Sequence, residues 1–325
     1  MLVPTNVSVN KRSLKILDKM LSEADVLGIK YFKSKIGATI VDCGVEAKAG
    51  YAAGLYVAEI CLGGLASVSI RLREYDGVTL PVVEEFTDHP VIACMASQYA
   101  GWSIRGDGFS ALGSGPARAL AKKPKKLFEE IGYEDQSDET VIVLEASRFP
   151  PESVLKDIAD KCGVSPQNLY VIVVPTSSPA GAVQISARIV ETGIHRLHVL
   201  GFKLDRILQG LGVCPIAPLH PDSTIMMGRT NDALIYAGEV TLTVRHEDDK
   251  KLEKLINEAP SCRSSSYGKP FYEIFKEAGF DFYKVDPRIF APSSLTIFNV
   301  MSGKIHRAGR VNIDVLRSSW GLAIT

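Results

Sequence analysis

The clearest change of hydrophobic and polar pattern in the chain lies between residues 171 and 199. Residues 171–174 (Val-Ile-Val-Val) are apolar and β-branched, which predicts a buried strand. A loop with two prolines and three hydroxyl side chains follows at 175–181. From 182 to 199 the apolar positions recur with the period of an amphipathic α-helix. The polar half of this helix carries Gln184, Arg188, Glu191, His195 and His198.

This polar half has two interpretations. Arg188 and Glu191 are three residues apart and Glu191 and His195 are four apart, so each pair can touch on a helix surface. A stripe of Gln, Arg, Glu and His without lysine suits a helix that lines a wet cleft, where a guanidinium holds a carboxylate. An ordinary solvated face with one surface ion pair, worth about 0–1 kcal/mol, explains the same residues. The spacing alone favours the solvated face.

Hydrophobic periodicity predicts further elements along the chain. Segments predicted as helices lie at 11–28, 51–62, 152–162, 205–212 and 270–278, and the segment 110–120 turns into another helix. Segments predicted as strands lie at 39–43, 66–70, 81–83, 91–94 and 141–144. Glycine-containing turns predict two hairpins, 233–236 with 240–244 and 295–300 with 304–307.

The order of these elements predicts the fold class. Helices alternate with strands and hairpins also occur, so one all-parallel sheet does not fit. We expect an α+β (mixed α/β) fold with two α–β subdomains around a central pocket. The charged segment 129–139 supplies the boundary, with an N-terminal subdomain at 1–135 and a C-terminal subdomain at 136–325 that carries Arg188 and Glu191.

Charge and composition narrow the function classes. The 37 basic and 37 acidic residues cancel, whereas nucleic acids and anionic membranes are bound through basic surfaces. No apolar run approaches the roughly 18–20 residues that span a bilayer. Residues 1–7 lack the basic and apolar parts of a signal peptide. We therefore expect a cytoplasmic protein with neither nucleic acid nor membrane as a partner.

Familiar catalytic and metal-binding motifs are absent from the sequence. The six cysteines include no C-x-x-C pair, and the six histidines show no zinc-ligand spacing. We expect reduced, mostly buried thiols and no metal. The G-x-S-x-G nucleophile elbow and the dinucleotide fingerprint are also missing. The residues alone indicate an enzyme-sized protein with one candidate Arg–Glu helix.

The segment 113–118 is the strongest turn-to-helix junction. Its two glycines free the backbone, Pro116 suits a first helical position, and the bare N–H groups of a helix start attract anions. Gly115 and Arg118, with the lysines after them, are therefore candidates for an anion site. A tight turn beside a solvated lysine face explains the same residues.

Three other polar segments also have a functional and a structural interpretation. Asp88 and His89 can work as an acid–base pair or can cap their own backbone. Residues 228–232 (Gly-Arg-Thr-Asn-Asp) can hydrogen-bond a heterocycle or can form a turn. Residues 264–270, which include Lys269, can place hydroxyls, a ring and an ammonium near a ligand or can cap a helix.

Taken together, several motifs in chain order resemble the methenyltetrahydromethanopterin cyclohydrolase family. The segments that carry the resemblance are 87–90 (TDHP), 113–120 (GSGPARAL), 129–135 (EEIGYED), 175–178 (PTSS), 228–232 (GRTND), 267–275 (YGKPFYEIF) and 308–309 (AG). Each motif is short, but the ordered set is specific and extends from about residue 8 to the C-terminus.

The resemblance implies a cytoplasmic hydrolase of one-carbon metabolism in methanogenesis. Such an enzyme interconverts N5,N10-methenyl-tetrahydromethanopterin and N5-formyl-tetrahydromethanopterin by adding or losing water. It is a homotrimer without metal or prosthetic group, because the pterin is both substrate and carbon carrier. The family's catalytic arginine and glutamate match Arg188 and Glu191, with Glu191 as general base and Arg188 tuning it.

Residue type and position suggest the substrate contacts. The predicted substrate-binding residues are Asp88, His89, Gly115, Arg118, Thr176, Ser177, Ser178, Arg229, Thr230, Asn231, Asp232 and Lys269. Arg118 with Gly115, or the lysines after them, would meet the anionic tail, and residues 176–178 and 229–232 would meet the pterin. Two other functions stay open: another pterin-linked one-carbon enzyme such as a formyltransferase, and a non-catalytic pterin-binding protein.

Overall fold

The computed structural model describes residues 7–322. Its strands are β1 (Lys30–Lys33), β2 (Thr39–Asp42), β3 (Ser67–Tyr75), β4 (Val78–Thr87), β5 (Trp102–Gly106), β6 (Phe109–Ser114), β7 (Thr140–Glu145), β8 (Leu169–Val173), β9 (Ile207–Pro215), β10 (Glu239–Val244), β11 (Ser294–Asn299) and β12 (Lys304–Gly309).

The helices connect these strands. The α-helices are α1 (Val9–Ser22), α2 (Ala24–Leu27), α3 (Tyr51–Cys61), α4 (Ala117–Ala121), α5 (Lys125–Ile131), α6 (Glu152–Cys162), α7 (Pro179–Ser186), α8 (Ile189–Val199), α9 (Ser223–Asp232), α10 (Asp249–Asn257), α11 (Phe271–Glu277) and α12 (Ile313–Trp320). π-Helical turns lie at Val91–Gln98 and Ala233–Ala237. Short 3-10 turns lie at Pro166–Asn168, Leu204–Arg206, Ser261–Arg263, Phe282–Lys284 and Pro287–Ile289.

The chain divides into two compact units that are discontinuous in sequence. The first unit contains the described residues up to Ser67 together with Val91–Gln184. The second contains Val68–Pro90 and the described residues from Ile185 onward. This division differs from the predicted one at 135/136, which falls inside the first unit. β6 and β7 lie on opposite sides of that position in the sequence and pair with each other in one sheet.

The first unit is built on a mixed sheet of order β1-β2-β8-β7-β6-β5. Its central strands β2, β8 and β7 are parallel. Ile142 and Leu144 belong to a hydrophobic cluster with residues of α6, whereas Val141 and Val143 belong to one with residues of α1 and α3. Both faces of the parallel strands are therefore covered, which explains the uninterrupted apolar run of β8.

The second unit contains a sheet of order β12-β11-β10-β9-β4-β3. β10 and β11 are parallel, while β9 pairs antiparallel with both β4 and β10. One face of this sheet is buried against α8. The other face, which we call the open face, pairs exposed apolar side chains across strands: Phe86 with Leu211, and Phe298 with Ile305.

Elements with clear end signals lie where the sequence predicts them. α6 begins and ends at the predicted residues, and Gly163 follows it in the left-handed conformation (φ 69°) that a glycine cap adopts easily. β11 and β12 form the predicted C-terminal hairpin, and α11 begins directly after Pro270. The mixture of helices and mixed sheets confirms the α+β class.

Three predicted elements are wrong. Residues 91–94 belong to the π-helical turn Val91–Gln98 and not to a strand. Residues 205–212 lie mostly in β9 and not in a helix. Residues 233–236 are helical, and β10 pairs with β9 and β11 instead of forming a hairpin with them. Short apolar runs do not distinguish a strand from a buried helical turn, and the glycines of β9 interrupt the alternation that would have identified it.

The predicted helix at 182–199 is divided into α7 and α8. Arg188 precedes α8 with a non-helical backbone (φ −90°, ψ 8°). Neither proline nor glycine occurs at the break, so periodicity continues across it and gives no local signal.

No helix in the described part of the chain is long and apolar enough to cross a membrane. The expectation that the chain has no signal peptide concerns mainly residues 1–6, which lie outside the described residues.

Candidate active site

Arg188 and Glu191 lie on either side of the beginning of α8. The Arg188 N–H donates to the carbonyl of Ile185 (2.9 Å), and the Arg188 carbonyl accepts from both the N–H and the hydroxyl of Thr192 (2.9 and 2.8 Å). The backbone of Arg188 is therefore held on both sides. Glu191 is only 8% exposed and lies in the first turn of α8, where the positive end of the helix dipole favours a carboxylate. This burial excludes the interpretation of an ordinary solvated face for Glu191.

Glycines allow the first turn of α8 to lie very close to the sheet. A Cβ atom on Gly212 of β9 would lie 2.5 Å from Cγ2 of Ile189, and one on Gly193 of α8 would lie 2.9 Å from Cγ1 of Val240. Real Cβ contacts are not that short, so a side chain at either position would push the helix and the sheet apart. The glycines thus determine how deeply the Arg188–Glu191 turn is seated.

Glu85 is a third ionisable residue at this turn, and it is not among the site residues predicted from the sequence. It lies on β4 directly opposite Gly212 and is 2% exposed. Its carboxyl group accepts a hydrogen bond from the backbone N–H of Val190, and the charges of Glu191 and Arg188 act on it. Burial raises the pKa of Glu85 well above its usual value, Glu191 raises it further, and Arg188 and the Val190 N–H oppose the rise.

A signal for Glu85 exists in the sequence of β4. Val83, Glu85 and Thr87 are buried and alternate with the exposed Glu84 and Phe86. In a strand of period two, Glu85 therefore occupies an inward position while Phe86 points outward. An acidic side chain that points inward beside an aromatic side chain that points outward is the reverse of the usual arrangement, and this reversal is the signal for Glu85.

Farther along α8, His195 and Arg196 have different roles. Burial lowers the pKa of His195, and the nearby His198 and Arg196 lower it further, so the ring stays neutral at neutral pH. Arg196 is buried and donates to the carbonyls of Ala259 (3.2 Å) and Glu258 (2.7 Å) just after α10. Arg196 thus anchors α8 to α10.

The predicted residues 176–178 lie in the first unit, after the carboxyl end of β8. The Thr176 hydroxyl donates to the Glu145 carboxylate at the end of β7, and Thr176 and Ser177 are half-buried. Ser178 caps α7, because its hydroxyl accepts the N–H of Gly181 (3.0 Å) and donates to the Pro175 carbonyl (2.8 Å). The carboxyl edge of parallel strands is where open α/β sheets usually bind ligands.

Arg118 is completely buried in the first unit. Its Nε donates to the carbonyl of Lys123 (2.8 Å), and its Nη1 donates to the carbonyls of Met95 and Ser97 (both 3.0 Å). The N–H of Gly115, which has a positive φ of 92°, also donates to the Ser97 carbonyl (2.9 Å). These contacts favour a structural role for Arg118 and Gly115 over contact with a substrate tail.

Asp88 and His89 follow β4 in the second unit. The exposed carboxylate of Asp88 accepts from Nε2 of Gln209 (2.8 Å). The backbone N–H of His89 donates to the hydroxyl of Thr87 (3.0 Å). Both contacts fit the interpretation in which the loop caps its own backbone.

Residues 228–232 form the last turns of α9 and not a turn before a strand. Arg229 donates to the carbonyls of Pro218 and Leu219. Thr230 and Asn231 both donate to the carbonyl of Met227.

The buried Asp232 accepts from the N–H of Phe271 (2.7 Å) and from the hydroxyl of Ser319, so it joins α9 to α11 and α12. Burial raises the pKa of Asp232 to about 7.

Lys269 pairs with Glu277 at the other end of α11 (2.8 Å) in an exposed ion pair. The expectation that the cysteines are mostly buried is confirmed, because five of the six are buried and Cys262 is exposed. Among residues 7–322, no group of three or more His, Cys, Asp or Glu side chains is arranged to hold a metal ion.

Comparison with known proteins agrees with the resemblance found in the sequence. Residues 8–320 match the family model described as Cyclohydrolase (MCH). The methenyltetrahydromethanopterin cyclohydrolase of Methanococcoides burtonii is 48% identical over 316 residues, which cover 97% of this chain and 99% of the relative. The proteins of the same name from Methanocaldococcus jannaschii and Methanothermobacter marburgensis are 46% and 45% identical, over 97% of this chain and 98% and 100% of theirs.

Proposed function

The chain belongs to the cyclohydrolase (MCH) family, and on that premise we propose that it is a methenyltetrahydromethanopterin cyclohydrolase, a hydrolase that acts on a cyclic amidine. The observation that carries this proposal is the match itself, which extends over nearly the whole chain at 43–48% identity with enzymes of that name. The burial of Glu191 in the first turn of α8 supports it, because a general base needs a carboxylate held away from bulk solvent.

The reaction adds water to the methenyl carbon, which is the electrophilic centre of an amidinium cation. The water oxygen bonds to that carbon while one water proton moves to Glu191, and the cation becomes a neutral carbinol. The bond from carbon to N10 then breaks, N10 takes the proton from Glu191, and the hydroxyl proton leaves to solvent. The formyl group stays on N5, and the overall step releases one proton.

Glu191 is the general base and Arg188 is the residue that tunes it. A general base contributes about 10²–10⁴-fold when it is correctly placed and ionised. The charge of Arg188 favours the ionised form of a neighbouring carboxylate, at the cost of some basicity. The substrate cation offsets that loss, because its own charge drives the attack of water.

Substrate binding is assigned to two segments, 176–177 and 122–126. Thr176 and Ser177 are half-buried at the carboxyl edge of the first sheet and are our candidates for the pterin. The lysine segment 122–126 is our candidate for the anionic tail, since the Arg118 side chain points inward and donates to backbone carbonyls.

The reaction uses no metal or prosthetic group, because the amidinium is already electrophilic. It takes place in the cytoplasm.

A homotrimer is the proposed assembly, with the open face of the second sheet as its contact surface. Leu211 and Phe298 on this face are 45% and 41% exposed, and each has a cross-strand apolar neighbour. Exposed apolar residues grouped on one sheet face are typical of subunit contacts.

The direct test is a spectroscopic assay of the purified protein with N5,N10-methenyl-tetrahydromethanopterin in buffer alone. We expect loss of the methenyl absorbance many times faster than in buffer without protein, and no effect of dialysis against a chelator. Turnover that requires an added acceptor would indicate a formyltransferase. Stoichiometric binding without turnover would indicate a pterin-binding protein.

A further inference from the structure

We propose that Glu85 is a positioning residue for the general base: from β4 it accepts the backbone N–H of Val190 and so holds the first turn of α8, which carries Glu191. The proposal rests on the proposed function, because it assigns Glu85 a part in the same reaction.

The first argument is the position of Glu85. It lies on β4 opposite Gly212, the residue whose missing side chain lets Ile189 and Val190 approach the sheet. At this place of closest approach, the Glu85 carboxyl accepts the N–H of Val190. That N–H belongs to the first turn of α8, whose N–H groups have no partner within the helix. Glu85 therefore fixes the residue directly before Glu191.

The second argument is the cap of α8. Arg188 occupies the position before the helix and makes no side-chain cap hydrogen bond. Most helices use a serine, threonine, aspartate or asparagine there, and losing such a cap costs about 1 kcal/mol. In α8 the Glu85 carboxyl group on β4 takes the place of a local cap, because it accepts the N–H of Val190.

The third argument is charge. Two ionised carboxylates beside one guanidinium would repel each other and would share its charge. The groups whose charges act on Glu85 are Glu191 and Arg188, and its register partner Gly212 has no side chain. Burial favours the protonated form of Glu85, and a protonated carboxyl still accepts a hydrogen bond through its carbonyl oxygen. A protonated Glu85 adds no negative charge to the turn that carries Arg188 and Glu191.

The test compares three variants at Glu85 with one matched control. Glu85→Gln keeps an uncharged acceptor of the same length, Glu85→Leu removes the acceptor, and Glu85→Asp withdraws it by one methylene. Glu84→Gln removes a carboxylate from the same strand on the exposed side, where Glu84 faces Arg71. For each variant kcat, KM and the pH profile of kcat are measured per mole of folded protein, with the folded fraction taken from near-UV circular dichroism.

We expect Glu85→Gln and Glu84→Gln to keep kcat within about twofold of the wild type and to keep the acid limb of the profile in place. Glu85→Leu should lower kcat about 10- to 100-fold at nearly constant KM and move the acid limb, because misplacing a catalytic group by an ångström costs that much. Glu85→Asp should shift both quantities in the same direction and tests the proposal if the leucine variant does not fold. A role in stability alone would change the folded fraction without moving the acid limb.

Two results would overturn the proposal. One is a leucine or aspartate variant whose kcat and acid limb match those of the wild type. The other is a glutamine variant as impaired as the leucine variant, which would mean that Glu85 itself transfers a proton. Failure of the proposed function is a separate outcome, since it would appear as a wild-type protein without cyclohydrolase activity.

Discussion

The backbone N–H of Val190 donates a hydrogen bond to the carboxyl group of Glu85, so the turn that carries Glu191 is tied to strand β4. Gly212 makes this contact possible from the neighbouring strand, because it leaves the space that Ile189 and Val190 occupy. The turn that carries Arg188 and Glu191 is thus held by residues from β4 and β9, which lie far apart in the sequence.

Replacing Glu191, the proposed base, is the most direct test of the mechanism. Glu191→Gln keeps the size of the side chain but cannot accept the water proton, so we expect kcat to fall by about 10²–10⁴-fold while pterin binding changes little. Single-turnover kinetics and a binding titration measure the two effects. Glu253→Gln, at an exposed position of α10, is the control and should behave as the wild type. Near-normal turnover of Glu191→Gln would end the general-base proposal.

A methyl group at Gly212 of β9 should disturb the turn of α8 that carries Glu191. The Gly212→Ala side chain would lie 2.5 Å from Cγ2 of Ile189, so we expect a loss of about 1–3 kcal/mol in the free energy of unfolding and a lower kcat. Gly50→Ala is the control, since a Cβ atom there meets nothing within 4 Å. Urea unfolding and steady-state kinetics test both effects. A Gly212→Ala enzyme with unchanged stability and turnover would show that the close approach does not matter.

Removing the Arg118 side chain should lower the stability of the protein more than it weakens substrate binding. Arg118→Ala leaves the buried carbonyls of Lys123, Met95 and Ser97 without this donor, so we expect a loss of about 3 kcal/mol or more on unfolding. Arg118→Lys should not restore stability, because an ammonium cannot reproduce the planar guanidinium contacts. An unchanged unfolding curve together with a raised KM would instead place Arg118 at the substrate tail.

Asp232 should make stability depend on pH near neutrality. Burial raises its pKa in the folded protein to about 7 from the usual 3.8, so at a pH between these values the folded state holds a proton that the unfolded chain has lost. Its contribution is fully present below about pH 4 and is lost as the pH rises through about 7, at up to about 1.4 kcal/mol per pH unit.

Asp232→Asn keeps an acceptor for the N–H of Phe271 but does not ionise. We therefore expect this variant to lose the decline in stability between weakly acidic and neutral pH that the wild type shows. Urea unfolding at a series of pH values measures it. An identical decline in both proteins would assign the pH dependence to other groups.

A charge on the open face should dissociate the proposed trimer. Leu211→Lys places an ammonium among apolar neighbours at the contact surface, where an unpaired buried charge is strongly unfavourable. Sedimentation velocity should show a single trimer for the wild type and lighter species for the variant. Val26→Lys, at an 88% exposed position of α2, is the control. A wild-type monomer, or a Leu211→Lys trimer of full stability, would contradict the assignment.

Local signals explain which elements the sequence predicts correctly. The glycine after α6, the proline before α11 and the turn between β11 and β12 act within a few residues, and these elements lie where expected. The strand β9 was not predicted, because its glycines are explained only by the close approach of α8, which comes from a different part of the chain. The helix break at Arg188 was missed because it leaves the periodicity of the side chains intact.

The sequence by itself determined the α+β class, the family resemblance and the spacing that puts Arg188 and Glu191 within one turn of each other. Only the tertiary structure decided that Glu191 is buried, that Glu85 joins it, and that Arg118 and Asp232 hold the protein together. The reason is that burial and the pKa of a buried acid depend on which distant segments pack around it. Local periodicity carries no information about those partners.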